Sequence, residues 1–395
     1  MADSLGARRK VYLDALSLAP ERMSGIGHLT LNLVVGMAAS KDFNDKYELQ
    51  LVLPYNKIDA VKTKLRGAKV SYKRVWLPAR ALEILNRLGI LLPVDLFLGK
   101  GFYVFPNFKN WPLTKRSVSF TYIHDVGYMK YPEFVQPKNL AYLRKYMPIW
   151  LKRTDYILTI SRFSKDEIVS RCGVKSSRID VVYPGVDAEA FSRRSTYEVE
   201  QVKSKYGLIG EDYFLFVGNI EPRKNLERLV DAFNKMPADM KKRYSLVLVG
   251  GDGWSNANIY QAIRSAKEGG ARIIVPEQYV GDDDLPALYS GAIALIYPPL
   301  YEGFGIPLVE AMSCGTPVLA ADSGPLPEVT GSAAKLFDPL DIDSIKDAMV
   351  YVMKDSQARE RGVALGLARA KELSVNNEVL SLISVLDERS KEARK

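Results

Sequence analysis

Short apolar runs of strand length alternate with stretches of helical periodicity along this chain, and the alternation stops once and then restarts. In the first half Lys10–Leu16 reads as a strand and Ser24-Gly-Ile-Gly27 as a glycine-rich turn. His28–Ala39 follows as a helix, with Leu29, Leu33 and Met37 at helical spacing. Tyr47–Pro54, Ser117–Ile123 and Tyr156–Ile160 continue the strands, with helices around Leu140–Lys152 and over Ser164–Cys172. A short strand within Arg178–Gly185 closes the half, and the polar stretch Ala188–Lys205 reads as a linker. The cycle then resumes with strands at Tyr213–Val217, Tyr244–Val249, Arg272–Val275, Ala292–Tyr297 and Pro317–Ala321. Helices are expected at Asn225–Asn234 and Pro307–Cys314. Strand, turn and helix in repeated order demand a parallel sheet covered by helices, here twice over. At 395 residues, each unit is large enough to bury a core of its own.

Composition narrows the classes of function. No stretch reaches the roughly 18 uninterrupted apolar residues that a spanning helix needs. The apolar run Ile84 to Phe105 is broken by Asn86, Arg87, Pro93, Asp95 and Lys100. The basic residues near the N-terminus are not followed by an apolar core, so no secretory signal is expected. Cys172 and Cys314 are the only cysteines, too few for a disulfide framework, which points to a reduced, cytoplasmic compartment. Charge is uneven: residues 1–187 hold 30 Lys and Arg against 16 Asp and Glu, whereas residues 188–395 hold 25 against 30. The first half therefore either faces an anionic surface or substrate, or carries a solvated lysine-rich exterior. Nucleic acid is not expected, because the basic residues are dispersed without an aromatic-interleaved stripe.

Two stretches carry chemistry. Pro298 to Pro317 reads as strand end, a loop with Gly303 and Gly305, and a helix opening near Pro307. Glycines let backbone approach a ligand closely, and free N–H groups at a helix start point at an anion. Glu302 precedes the loop, and Glu310 lies one turn into the helix. A carboxylate at Glu310 suits a ribose diol; equally, it suits the dipole of the first helical turn. Phe216-Val-Gly-Asn-Ile-Glu-Pro-Arg-Lys-Asn225 follows a strand and precedes a helix, placing Arg223 and Lys224 at a sheet's carboxyl edge, where ligands of open α/β sheets collect. Arg by forked hydrogen bonds and Lys as a point charge suit a diphosphate.

The spacing Glu302-x7-Glu310 together with Glu221-Pro-Arg-Lys-Asn225 resembles the retaining glycosyltransferases of family four, which have the GT-B fold. The likeness continues in Ser24-Gly-Ile-Gly-His28, Thr121-Tyr-Ile-His-Asp-Val126, Thr159-Ile-Ser-Arg-Phe-Ser164 and Tyr183-Pro-Gly-Val-Asp187, then in Thr316-Pro-Val-Leu-Ala320 and Gly324-Pro-Leu-Pro-Glu-Val329. The resemblance implies an α/β protein with two Rossmann-like domains facing each other across a cleft. It implies that Arg223 and Lys224 neutralise a leaving diphosphate, Glu310 holds the ribose, and Glu302 touches sugar hydroxyls. The backbone of Gly303, Phe304, Gly305 and Ile306 would contact phosphate and sugar, and Gly25 and Gly27 would close on the phosphate. His124 would line the transferred sugar, and the nucleobase would lie near Val275–Val280. The implied reaction keeps the anomeric configuration, needs no metal, and takes a nucleotide sugar as donor substrate with no further cofactor.

Other readings stand beside these. His124-Asp125 suits a substrate-positioning role better than a general base pair. Asp282-Asp-Asp284 offers an Asp-x-Asp metal motif, but its place before a helix at Leu285 favours N-capping. Arg80–Leu92 is either a core helix or a basic-flanked segment lying on a membrane. Ala370–Asn377 lacks a tryptophan common in the family, which leaves the docking contacts of a crossing helix at Glu378–Glu388 open. The expected organisation is an acceptor-binding domain over 1–187, a linker over 188–208, a nucleotide-sugar domain over 209–372, and a crossing helix within 373–395. GDP-mannose is the first choice of donor, because Glu221-Pro-Arg-Lys resembles bacterial polysaccharide mannosyltransferases. The acceptor would be a saccharide or a lipid-linked one, with an anionic membrane surface as a further partner. A UDP- or dTDP-sugar transferase, a nucleotide-sugar epimerase and a non-catalytic nucleotide-binding scaffold are the alternatives. A dehydrogenase is not favoured, since Gly250-Gly-Asp-Gly253 lacks the G-x-G-x-x-G spacing.

Overall fold

A computed structural model describes residues 8–65 and 67–392; the N-terminal stretch read for a signal lies largely outside them. The chain divides into two compact units. One comprises Met1–Met129, Pro137–Gly185 and Val375–Lys395; the other comprises Lys130–Gln136 and Val186–Ser374. Among the described residues, no helix is long and apolar enough to cross a membrane.

Among the described residues, the first unit is built on seven parallel strands: β1 (Arg9–Asp14), β2 (Tyr47–Pro54), β3 (Ser71–Val75), β4 (Phe102–Phe105), β5 (Val118–Tyr122), β6 (Tyr156–Thr159) and β7 (Ile179–Val181). Their order is β3-β2-β1-β4-β5-β6-β7, so the direction of winding reverses between β1 and β4. Val11, Leu13, Leu51, Leu53, Val104 and Phe120 are fully or almost fully buried, as strands covered on both faces require. β3 and β4 were not legible from the sequence. β4 ends the apolar run from Ile84, and a fully buried strand carries no alternation to separate it from helix.

Helix α1 (Gly25–Ala39) begins earlier than its periodicity suggests. The Ser24 hydroxyl accepts from the Gly27 N–H at 3.4 Å, so the glycine pair lies in the first helical turn and not in a loop ahead of it. A Cβ at Gly27 would stand 2.9 Å from Met23 Cβ and 3.0 Å from the Ser17 carbonyl oxygen, so the close approach itself selects glycine. Further on, α2 (Ala79–Leu88) and the short α3 (Asp95–Leu98) are pinned by Leu82 and Val94. These two join a buried cluster with Tyr12, Tyr103, Phe105 and Trp111.

The second unit has six parallel strands: β8 (Asp212–Val217), β9 (Tyr244–Val249), β10 (Ile273–Ile274), β11 (Ala294–Tyr297), β12 (Val318–Ala321) and β13 (Ala334–Phe337). Their order is β10-β9-β8-β11-β12-β13, with the winding reversed between β8 and β11. Half of the expected linker is helical. α4 (Thr196–Lys205) starts at a complete capping box, in which Ser195 and Glu198 satisfy each other's backbone N–H, and it buries Val199. Its polar exposed face hid it among linker-like residues. The unit continues with α5 (Leu226–Asn234), α6 (Leu285–Gly291) and α7 (Ile306–Ser313).

The last helix, α8 (Val375–Glu392), counts with the first unit and packs on α1 along Gly36, where a side chain would collide with Val375. It is longer than the Glu378–Glu388 expected. It docks through Val379, Leu382, Ile383 and Leu386, and no tryptophan is required. Near its end Arg389 forks onto the two carboxylate oxygens of Asp180 at 2.9 and 2.7 Å, with its guanidinium 4.7 Å from the centre of the Tyr156 ring. Near its start Glu378 is buried and accepts from the Gly185 N–H at 2.9 Å.

Burial pushes the Glu378 carboxyl up to about 8 from its usual 4.5. The stability that its protonated form contributes is therefore fully present below pH 4.5 and is lost as pH rises through about 8. Glu378→Gln keeps an acceptor for Gly185 and cannot ionise. In urea titrations the variant is expected to match wild type near pH 4.5 and to exceed it near pH 8 by roughly 2–4 kcal/mol.

Candidate functional site

The switch point between β8 and β11 gathers the charged residues of the second unit. After β8 the chain enters a short 3₁₀ turn, Pro222–Lys224, and Asn225 takes a left-handed conformation (φ 60°) before α5 begins. The Asn225 side-chain amide donates to the carbonyls of Pro298 (3.1 Å) and Pro339 (2.7 Å), which holds this turn against the exit of β11. The Leu300 N–H donates to the Arg223 carbonyl at 2.9 Å and ties the two loops directly.

Lys224 is buried, and its ammonium donates to the Tyr297 hydroxyl (2.7 Å) and to the Glu302 carboxylate. Tyr297 in turn donates to the same carboxylate oxygen at 2.7 Å. Arg223 stands 3.1 Å from Glu302 through one nitrogen, donates to the Tyr301 carbonyl at 3.0 Å, and forks onto Glu221 at 3.1 and 2.7 Å. Burial alone would raise the Glu302 pKa, but Arg223 and Lys224 outweigh it and hold the carboxyl at about 2. Burial likewise lowers the Lys224 pKa, opposed by Glu302. Two cations facing two carboxylates at a strand end make a preorganised electrostatic site, one that can share its cations with an anionic ligand.

Gly305 caps α7 in a left-handed conformation (φ 99°), and a Cβ there would stand 2.8 Å from Leu326. Glycine is therefore required by both torsion and space. Pro307 sits in the first turn, where its missing N–H removes nothing. Glu310 follows one turn later and accepts from the Tyr289 hydroxyl at 2.7 Å. Burial, with Asp282 adding to it, pushes Glu310 up to about 7 against the Tyr289 bond. The arrangement offers helix-start amides beside a carboxyl that can accept from a diol. Gly303, Phe304 and Gly305 form the connection between Glu302 and this helix, which Ile306 opens.

The remaining expected residues belong to the first unit. Gly25 and Gly27 form the opening of α1, after β1. His124 follows β5; its Nε2 lies 2.8 Å from the Pro106 carbonyl, an oxygen that only accepts, so Nε2 carries the proton. His124 Nδ1 is buried without a partner, and burial lowers the ring's pKa, so a neutral imidazole presents an acceptor there. That geometry suits positioning of a donor group. The capping role expected for Asp282–Asp284 needs correction: Asp284 occupies the N-cap position of α6 without a side-chain cap. Its carboxylate turns instead to Lys205 and the Tyr206 hydroxyl, both at 2.6 Å. An ammonium at hand is a stronger partner than a backbone amide.

Sequence reasoning missed Tyr297 and Tyr289. Each looks like an ordinary apolar core position, and only the position of Tyr297 at the carboxyl end of β11 hinted at a polar task.

Residues 38–190 match the family described as Glycosyltransferase Family 4, and residues 199–364 match Glycosyl transferases group 1. O-antigen chain mannosyltransferase B of Escherichia coli is 33% identical over 368 residues, covering 90% of this chain and 93% of that protein. The chain belongs to glycosyltransferase family four. A shorter match, 32% identical over 228 residues and 58% of each chain, is to O-antigen chain mannosyltransferase RfbU of Salmonella typhimurium. Among solved structures, HepE of Anabaena, in complex with UDP and glucose, superposes with a TM-score of 0.71 at 16% identity over 97% of this chain and 100% of that one. WaaG, a glycosyltransferase involved in lipopolysaccharide biosynthesis, gives 0.66 at 14% identity over 95% and 99%. At such identities the likeness carries the fold, which is GT-B.

In this glycosyltransferase the low pKa of Glu302 contributes stability that is present above pH 4.5 and is lost as pH falls through about 2. Lys224→Met leaves the carboxylate with Arg223 and the Tyr297 hydroxyl. It is expected to lower neutral-pH stability by about 2–3 kcal/mol and to shrink the loss of stability below pH 4.5, as read by urea unfolding across pH.

Proposed function

We propose that this glycosyltransferase moves mannose from GDP-mannose to a saccharide or lipid-linked acceptor in cell-surface polysaccharide synthesis. The carrying observation is the 33% identity, over nine-tenths of both chains, to an O-antigen chain mannosyltransferase. The transfer retains the anomeric configuration and uses neither metal nor cofactor beyond the donor. Arg223 and Lys224 take the departing diphosphate, sharing the charge they now give to Glu302 and Glu221. Glu302 holds sugar hydroxyls and Glu310 the ribose, while the backbone of Gly303, Phe304, Gly305 and Ile306 meets phosphate and sugar. Gly25 and Gly27 supply the helix start on the phosphate, and His124 accepts from the sugar through Nδ1. With same-face attack the leaving phosphate oxygen accepts the acceptor's proton. No protein nucleophile is then needed, and the chain's contribution is stabilisation of the charge on that oxygen.

The structural neighbour solved with UDP and glucose supports a second reading, a UDP-linked hexose. A thermal-shift screen against GDP, UDP, dTDP and ADP separates the two, because a ligand that binds only the folded state raises the melting temperature. GDP is expected to give the largest rise. A larger response to UDP or dTDP would replace the donor, and no response to any nucleotide would overturn the reading.

In a transfer assay Lys224→Ala is expected to lower kcat by about 10²–10³ while the protein remains folded, and EDTA to leave the rate unchanged. Near-wild-type turnover by the folded variant would remove the role of Lys224. Full loss in EDTA with recovery in manganese would replace the metal-free mechanism.

A further inference from the structure

Nineteen large apolar side chains among the described residues are exposed, and seven of them fall between Trp76 and Phe97. Exposed apolar residues scattered singly are ordinary; a dense run is not. Trp76 leaves the end of β3, and α2 presents Ile84 and Leu88 one turn apart on its outer face. Beyond α2 the chain shows Ile90 and Leu92, and α3 shows Leu96 and Phe97. Exposure runs from 55% at Ile84 to 78% at Trp76.

These side chains are not left over from an unfinished core. The same segment sends Leu77, Leu82, Leu91, Val94 and Leu98 into one cluster built on Tyr12, Tyr103, Phe105 and Trp111. Inward and outward residues are sequence neighbours: Leu77 beside Trp76, Leu91 beside Leu92, Leu98 beside Phe97. The inward set fastens the segment to the first unit, and the outward set is free of that task.

Charge identifies the occupant. From Lys69 to Arg116 the chain carries nine Lys and Arg against two Asp and Glu. Neither acid is available outside. Glu83 is held by Arg87 (2.6 Å) and Lys109 (3.0 Å), and Asp95 is buried, accepting from Thr114 and Ser117. Lys69, Arg74, Arg80, Lys100, Lys115 and Arg116 are exposed, and Arg74 lies 5.2 Å from the centre of the Trp76 ring. A second copy would bring the exposed cations of this segment against their own counterparts, which like charges oppose. Lipid phosphates would neutralise it, while the tryptophan and aliphatic side chains suit the depth between headgroup and acyl chain.

We propose that the outer face of Trp76–Phe97 is a docking surface that seats the first unit on an anionic lipid bilayer. The surface needs no assumption about the sugar donor, so it stands or falls separately from that reading.

The test is co-sedimentation of the full chain with phosphatidylcholine vesicles, with and without about 30% phosphatidylglycerol, at low and high salt. Wild type is expected to sediment with anionic vesicles at low salt, less at high salt, and little with phosphatidylcholine alone. Leu92→Ser with Phe97→Ser is expected to weaken partition at least about tenfold, with melting temperature and nucleotide response unchanged. Ile84→Ser with Leu88→Ser, on α2, is the second variant and should behave alike should the first fail to fold. Absence of wild-type binding to anionic vesicles, or undiminished binding by the folded variants, would overturn the proposal. So would a wild-type dimer that these variants dissociate without any vesicle binding, since the face would then join two copies.

Discussion

Burying an ammonium without a counter-charge is prohibitive, and Lys224 is buried at the end of β8 only because Glu302 reaches it from the end of β11. That contact depends on the two strands being neighbours although their carboxyl ends lie 80 residues apart in the chain, which is a property of the doubly wound order. The rest of the cluster follows from it. Tyr297 bridges lysine and carboxylate, Arg223 adds a second cation, and Asn225 locks the turn by bonding carbonyls on either side. A charged site held in this way is organised before any ligand arrives, and it avoids the reorganisation that solvent would have to supply.

The two carboxyls of the Glu302–Glu310 segment end in opposite electrostatic states. Glu302 faces two cations and is held at about 2; Glu310 faces a tyrosine hydroxyl and rises to about 7. The motif that pairs them in sequence therefore joins one permanent anion to one group that titrates near neutrality. A similar contrast marks α8, where Arg389 is matched by Asp180 but Glu378 meets only a backbone amide. Paired charges anchor, whereas the unpaired buried carboxyls make the molecule sensitive to pH.

Much of the frame was legible. The strand–turn–helix recurrence, the Arg223-Lys224 turn and the Glu302-x7-Glu310 spacing all stand where local pattern put them. Three kinds of feature escaped. β4 was hidden because a fully buried strand lacks alternation. α4 was hidden because its exposed face is polar and its capping box, Ser195 and Glu198, lies in a stretch read as linker. The Asp284 carboxylate was misread because the local rule for helix caps cannot see Lys205, which lies 79 residues away in sequence.

What the sequence by itself determined is the alternation of elements, and with it the class of fold and the residue types at two strand-to-helix turns. Periodicity and glycine placement are local quantities, set by neighbours within a turn or two. Tertiary structure alone decided which turns meet, because that follows from strand order. It made Lys224 a buried partner of Glu302 and Tyr297, gave Glu310 its tyrosine, and turned half of an apolar segment inward to the core while leaving Trp76, Leu92 and Phe97 outside. Burial and pairing depend on everything that surrounds a side chain, and no window of sequence contains that.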